Sequence, residues 1–266
     1  MYNILLLGGT TEASALAQAL ADRGLRATYS YAGRVLTPRA QPLPVRIGGF
    51  GGVDGLIRYL QETGITHLID ATHPFAGQMS RHAVQAAAHC QVPLLALTRP
   101  PWQAVSGDRW HCVADIPAAV SALAGPPQRI MLALGRMHLP DFAAQPQHHY
   151  LLRLVDEPTA PPPLPRHSMV VDRGPFRVEG DIALLQAHRI ERVVCKNAGG
   201  SGAAAKLAAA RTLGLPVLMI DRPDLPPRTT VHDVEAALHW LAQGAHVPPP
   251  PADGTERGVY NQLPRA

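Results

Sequence analysis

The chain has 266 residues, of which 46% are hydrophobic and 17% are charged. This composition suits one large or two modest globular domains and excludes a wholly disordered chain. No apolar run approaches the roughly 18 residues that a membrane-spanning helix needs, and the N-terminus has no basic signal-peptide start, so we expect no membrane partner. The net charge of +4 is spread along the chain and aromatic residues make up 5%, which argues against nucleic-acid binding and favours an anionic small molecule.

The cysteines and histidines argue against disulfides and metal sites. Cys90, Cys112 and Cys195 fit neither a CxxC motif nor a disulfide framework, so we expect a reducing, cytoplasmic environment. The 13 histidines lack the spacing of metal ligands, and we predict no bound metal.

Strand and helix patterns alternate from the N-terminus. Ile4–Leu7 reads as a buried strand, and the apolar residues that follow at helical spacing from Ala13 to Leu20 predict a helix. Further strands are expected at 27–32, 67–71 and 92–97, and helices at 53–63 and 76–90. This alternation predicts an α/β fold with a parallel sheet, whose ligands lie beyond the carboxyl ends of the strands.

The second half of the chain resembles the first. Residues 65–100 and 190–223 both read as strand, polar loop, Ala-rich helix, strand and Arg-Pro. We predict two Rossmann-like lobes with parallel sheets, at 1–124 and 128–243, with a ligand cleft between them and a flexible tail at 244–266. The alternative is a pair of generic α/β domains without common ancestry.

The first strand ends in GGTTEA (8–13), a loop typical of dinucleotide binding. Its glycines allow close approach, and the following helix offers free N–H groups. We assign cofactor binding to Gly9, Thr10, Thr11 and Glu12, against the alternative of a threonine-capped turn. The predicted second strand (27–32) ends in Ser30-Tyr31-Ala32 without the usual acid, and Gly33 and Arg34 follow. An arginine there can pair with a 2′-phosphate, which favours NADPH over NADH. The alternative is a surface arginine.

Two more loops of the first half carry ligand-binding features. In GGFGG (48–52), glycines surround an aromatic ring, which predicts backbone lying against a flat or phosphorylated ligand. The alternative is a flexible linker. The segment from Asp70 to Phe75 places an acid, a hydroxyl and an imidazole at a strand end. Asp70 and His73 are candidate proton donors, although both could merely cap or pack. The residues of these loops assigned to the cofactor are Gly49, Phe50, Gly51, Thr72 and Pro74.

The equivalent loop of the second half combines a cation, an amide and glycines before a helix. Such a loop suits a carboxylate or another anion. The alternative is that these residues only form an ordinary turn between strand and helix. The candidate substrate-binding residues are Arg136, Lys196, Asn197, Gly199, Gly200 and Ser201.

Taken together, these motifs resemble the precorrin-6A reductase family of cobalamin biosynthesis. The residues that carry the resemblance are GGTTEA (8–13), AGR (32–34), RIGGFGG (46–52), LIDATHPFA (68–76), RPPW (99–102), GPF (174–176) and KNAGGSGAAAKL (196–207). The resemblance implies NADPH-dependent reduction of a ring double bond in precorrin-6A, giving precorrin-6B. It also implies a tetrapyrrole substrate with many carboxylates.

Under this interpretation NADPH lies across the strand ends of the first lobe. Thr10 and Thr11 meet the pyrophosphate, Ser30 and Arg34 meet the 2′-phosphate, and Lys196 belongs to the loop that closes the cleft from the other lobe. The alternatives are a cobalt-precorrin-6A reductase, another NADP-dependent reductase or epimerase, and a non-catalytic NADPH-binding sensor. The oligomeric state is left open, and a monomer is compatible with the sequence.

Overall fold

The computed structural model describes residues 1–33, 38–158 and 160–243. The described residues form two six-stranded sheets in which all strand pairs are parallel. The predicted α/β class with parallel sheets is confirmed. Arg34 and the predicted tail at 244–266 lie outside the described residues.

The elements are numbered in chain order. The strands are β1 (Ile4–Leu7), β2 (Ala27–Tyr31), β3 (Val45–Ile47), β4 (His67–Asp70), β5 (Leu94–Leu97), β6 (Trp110–Val113), β7 (Arg129–Ala133), β8 (His149–Leu154), β9 (His167–Val171), β10 (Arg192–Lys196), β11 (Val217–Ile220) and β12 (Thr229–Val231). The helices are α1 (Thr11–Asp22), α2 (Gly52–Glu62), α3 (Gly77–Cys90), α4 (Ile116–Ser121), α5 (Val178–Ala187), α6 (Ala205–Thr212) and α7 (Val234–Ala242). Two short 3-10 turns lie at Arg136–His138 and Pro140–Ala144.

The two sheets have the same strand order. The first runs β12-β5-β4-β1-β2-β3 and the second runs β6-β11-β10-β7-β8-β9. Strands β1 to β5 therefore correspond to β7 to β11, and the sixth strand of each sheet comes from the other half of the chain. The repeat seen in the sequence is thus also a repeat of topology.

This exchange departs from the predicted segments 1–124 and 128–243. Strand β6 pairs with β11, and β12 pairs with β5. Helix α4 packs into the core of the second sheet and α7 into the core of the first. The boundaries need correction there, because hydrophobic periodicity identifies a strand but not the sheet that it joins.

Strand β1 lies at the centre of the first sheet with helices on both faces. All four of its side chains are buried. Ile4 and Leu6 pack with α1 and α7, while Leu5 and Leu7 pack with α2 and α3. A strand covered on both faces needs a continuous apolar run, which explains its sequence.

The second lobe contains a buried ion pair. Arg153 on β8 contacts Asp181 on α5, and their side chains are 6% and 5% exposed. The guanidinium lies 3.8 Å from the ring centroid of Phe176. Arg153 is the direct ion-pair partner of the Asp181 carboxylate, whose Oδ2 has no hydrogen-bond partner. The buried Lys206 ammonium contributes a second positive charge to this region.

We expect Arg153→Met to lower the free energy of unfolding by about 3–5 kcal/mol, because it leaves a buried carboxylate unpaired. Urea unfolding monitored by circular dichroism measures the change. Adding Asp181→Leu to the same chain should restore most of the loss, since the orphaned charge is then gone. The matched control is Arg173→Met, whose exposed pair with Asp156 should be worth less than about 1 kcal/mol. Equal losses in the two single variants would contradict the assignment.

Candidate functional site

The loop after β1 is shaped by a tyrosine. A Cβ on Gly8 would lie 2.1 Å from a ring atom of Tyr29, so only glycine fits there. The Tyr29 hydroxyl accepts a hydrogen bond of 2.8 Å from the Gly9 N–H. Gly9 has a φ of +118° and open space above its Cα. Gly8 was not among the predicted site residues, although it belongs to the same motif.

Thr10 caps the helix that follows. Its hydroxyl accepts from the Ala13 N–H at 3.0 Å and donates to the Ala71 carbonyl at 2.9 Å. This is the threonine-capped turn that the sequence left open as an alternative. The N–H groups of Thr11 and Glu12 have no acceptor within the helix, because they belong to its first turn. The 12-residue helix α1 therefore presents backbone donors and a positive dipole end beside β1.

The second lobe has no counterpart of this helix N-terminus after its own first strand. Strand β7 leads into the two 3-10 turns, and Arg136 begins the first of them as an exposed side chain. Among the described residues, the geometry typical of dinucleotide binding is thus confined to the loop after β1.

An arginine of β3 organises the GGFGG loop. Arg46 donates to the carbonyls of Gly48 at 2.5 Å and Gly49 at 2.7 Å, and its guanidinium lies 3.7 Å from the Phe50 ring centroid. It also donates to the buried Ser30 hydroxyl at 3.3 Å. Sequence reasoning missed Arg46, although it stands in the RIGGFGG motif. Gly51 has a φ of +81° and precedes α2.

Asp70 is buried and enclosed by donors. One oxygen accepts from the Thr72 N–H at 3.1 Å and the Thr72 hydroxyl at 2.6 Å, and the other accepts from Ser80 at 2.6 Å. Arg228 lies 3.7 Å from the second oxygen. This geometry suits a carboxylate that fixes the segment before α3. Its role as a proton donor stays a prediction without geometric support.

His73 lies where the two lobes meet. The residue retains some solvent exposure, and its Nδ1 accepts from the Phe75 N–H at 3.2 Å. Desolvation by the surrounding protein, followed by the charges of Arg99, Lys196 and Arg222, lowers the pKa of His73 to about 4. The imidazole is therefore neutral at neutral pH, with its proton on Nε2. In that state it can donate a hydrogen bond, but it is not an imidazolium acid.

The glycine loop after β10 packs against the segment that crosses between the lobes. A Cβ on Gly199 would lie 2.0 Å from the Pro100 carbonyl oxygen, and one on Gly200 would lie 2.6 Å from Arg99 Cδ. The Asn197 side chain accepts from the Trp102 N–H at 2.8 Å and donates to the Trp102 carbonyl at 3.2 Å. These residues thus hold the crossing segment, whereas Ser201 is exposed.

Two arginines that the prediction did not include hold the same loop. Arg99 Nε donates to the Ala198 carbonyl at 2.9 Å. Arg222 donates to the carbonyls of Asn197 at 3.0 Å and Ala198 at 3.1 Å. Each is the arginine of an Arg-Pro pair, so the repeat in the sequence carried a signal for both. Arg99 also contacts Glu12 of the first loop at 3.4 Å.

Within the described part of the chain, no group of three or more His, Cys, Asp or Glu side chains could hold a metal ion. None of its helices combines the length and the apolar character needed to cross a membrane.

Comparison with known proteins gives one consistent family. The model of the family described as "Precorrin-6x reductase CbiJ/CobK" matches residues 3–242. A precorrin-6A reductase from Rhodobacter capsulatus is 58% identical over 93% of this chain and 99% of its own length. One from Rhodococcus erythropolis is 47% identical over 91% and 98%. A solved structure named "CobK precorrin-6A reductase" has a TM-score of 0.87 and 58% identity, over 93% of this chain and 99% of that one.

We expect the His73 ring to titrate with a pKa near 4, which NMR of the ring protons can measure, with His73→Gln assigning the signal among the 13 histidines. Because the folded-state pKa lies below the ordinary value of 6.5, the contribution of His73 to stability is complete above pH 6.5 and is lost as pH falls toward 4. His73→Gln should remove this part of the acid sensitivity. A folded-state midpoint at 6.5 would contradict the arrangement of cations.

Proposed function

Because the chain belongs to the precorrin-6A reductase family of cobalamin biosynthesis, we propose that NADPH binds in its first lobe and the tetrapyrrole in the cleft between the lobes. Family membership makes the chain an oxidoreductase that acts on a tetrapyrrole intermediate. NADPH, the residues that bind it and the residues that bind the substrate are the proposal.

The loop after β1 supports the cofactor site. The free N–H groups of Thr11 and Glu12 and the open space over Gly9 suit a pyrophosphate, which a helix N-terminus attracts. Thr10 supports that loop through its cap and its bond to Ala71. NADPH, when bound, supplies the hydride of the reduction.

The carboxyl ends of β2 and β3 support 2′-phosphate binding. Ser30 lies in β2 near the position where an acid would otherwise stand, and Arg46 donates to its hydroxyl. Gly33 and Arg34 follow β2 in the sequence. A guanidinium suits a phosphate because it can form two parallel charge-assisted bonds. We propose that Gly49, Phe50, Gly51, Thr72 and Pro74 flank the rest of the cofactor.

One observation carries the proposed substrate site. Arg99 and Arg222 both donate to the Ala198 carbonyl, and the Lys196 ammonium lies 4.9 Å from the Phe75 ring centroid, so three cations gather near His73. Arg99, Lys196 and Arg222 come from both lobes and act on one imidazole, so an anionic ligand between the lobes would meet all of them. The Nε2–H of His73 adds a donor to the same place. The exposed Arg136 extends the positive surface of the second lobe. Carboxylates of a tetrapyrrole match this charge.

We further propose that the substrate is free of cobalt. The relatives named precorrin-6A reductase are 42–58% identical to this chain, whereas those named cobalt-precorrin-6A reductase are 26–30% identical. Membership of a family of reductases leaves no need for the sensor alternative. A cytoplasmic location is proposed from the three unpaired cysteines, which suit a reducing compartment. A monomer stays a prediction.

The direct test is loss of NADPH absorbance with purified precorrin-6A, compared with the cobalt form and with NADH. We expect faster turnover with the cobalt-free substrate and with NADPH. The reaction product should match precorrin-6B by mass and absorbance. Turnover of the cobalt form alone would overturn the proposed substrate.

Arg34→Gln tests the proposed 2′-phosphate contact. Loss of a hydrogen bond to a charged group is worth about 1.5–3 kcal/mol, so kcat/KM for NADPH should fall roughly ten- to hundredfold. The value for NADH should stay unchanged, because NADH has no 2′-phosphate. Arg39→Gln is the matched control, since Arg39 is an exposed arginine on the same connection. Parallel losses for both cofactors would show that Arg34 acts otherwise.

A further inference from the structure

The distribution of lysine in this chain is unusual. Of its 24 lysine and arginine residues, only Lys196 and Lys206 are lysines. Lys206 is 4% exposed and its ammonium lies 4.7 Å from the Trp102 ring centroid, inside the second lobe. Arginine thus supplies the cations of the surface. Lysine differs from arginine in that an ammonium can release a proton, whereas a guanidinium stays protonated in proteins.

Lys196 lies at the carboxyl end of β10 and faces the cleft. Its ammonium is 4.9 Å from the Phe75 ring centroid and is one of the charges that act on His73. Lys196 is therefore close to His73 and Phe75, two residues of the first-lobe segment DATHPF (70–75). No other lysine is available to the cleft, since Lys206 is enclosed.

Behind Lys196 lies a chain of polar groups that reaches solvent. Lys196 Nζ and His138 Nε2 are 2.8 Å apart. The other ring nitrogen, Nδ1, is 3.5 Å from an oxygen of Asp141, and the side chains of His138 and Asp141 are 34% and 50% exposed. A carboxylate, an imidazole and an ammonium thus follow one another from the surface to the cleft. Asp141 orients the ring and stabilises its protonated form.

We propose that Lys196 is the proton donor of the reduction and that His138, oriented by Asp141, returns a proton to it from solvent. This inference rests on the proposed function. Under this proposal the proton donor is neither Asp70, whose carboxylate is enclosed by hydrogen-bond donors, nor His73, whose imidazole is neutral. It also explains why a lysine stands where an arginine would bind carboxylates at least as well.

The reductase reaction adds a hydride to one atom of a ring double bond, and the electron pair of that bond moves to the other atom. The Lys196 Nζ–H bond breaks, its electrons stay on nitrogen, and the proton bonds to that second atom. At the start the Lys196 ammonium donates to Nε2 of a neutral His138, whose Nδ1 proton faces Asp141. Once Lys196 is the neutral amine, solvent protonates the partly exposed ring at Nε2. The imidazolium then passes this proton to the Lys196 nitrogen, so that both groups return to their starting states.

Lys196→Arg separates proton donation from charge. It keeps the cation, so binding of precorrin-6A measured by absorbance in the absence of NADPH should match that of the unchanged chain. Its kcat should fall by about 10²–10⁴, and the solvent deuterium isotope effect on kcat should rise because proton transfer becomes limiting. Lys196→Met should lose both binding and turnover. Turnover of Lys196→Arg within about twofold of the unchanged chain would overturn the proposal.

Chemical rescue gives a readout that a merely structural residue would not move. Lys196→Ala should regain turnover when methylammonium is added, and His138→Gln, reduced about tenfold, should regain it with imidazole. The control is His239→Gln on α7, a variant expected to be indifferent to imidazole. If His138→Gln behaves like His239→Gln, the relay is wrong. If the unchanged chain itself does not turn over precorrin-6A, the proposed function fails instead.

Discussion

The relative position of the two lobes depends on two backbone crossings between them, one after β5 and one after β11. At each crossing stands an arginine, and Arg99 and Arg222 both donate to the carbonyl of Ala198. Because the two crossings share this acceptor, the loop after β10 has a defined position relative to the first lobe. Arg99 also reaches Glu12 in the loop after β1. One hydrogen-bonded junction therefore connects the proposed cofactor loop to the proposed substrate loop.

The two lobes share a topology but differ in their chemistry. After its first strand, the first lobe has a full helix whose backbone N–H groups suit phosphate. The second lobe has short 3-10 turns at the same place and contributes side-chain cations, including Lys196. The exchange of β6 and β12 makes each sheet depend on the other half of the chain. The relative position of the two chemistries is therefore part of the fold and not of a flexible linker.

Local patterning predicted the elements and the parallel class, because a buried strand such as β1 needs an unbroken apolar run. The local pattern could not predict the exchange of strands, because hydrophobic periodicity does not show which sheet a strand joins. Gly199 and Gly200 were predicted to bind a ligand, yet in the structure they pack against Pro100 and Arg99. Close packing against protein requires glycine just as close approach to a ligand does, so the sequence could not distinguish the two. Arg46 belongs to the RIGGFGG motif, from which only Gly49, Phe50 and Gly51 were assigned to the site.

The neutral state of His73 reflects its position where the two lobes meet. Desolvation by the surrounding protein, followed by the three cations that face the site, makes a charge on the imidazole unfavourable. An arriving carboxylate would compensate these cations and take the Nε2–H as a neutral donor. The ammonium of Lys196 would then lie beside a ring system that gains electron density during reduction. In this proposal the site binds an anion and still holds one proton that it can release, because only one of its three cations is a lysine.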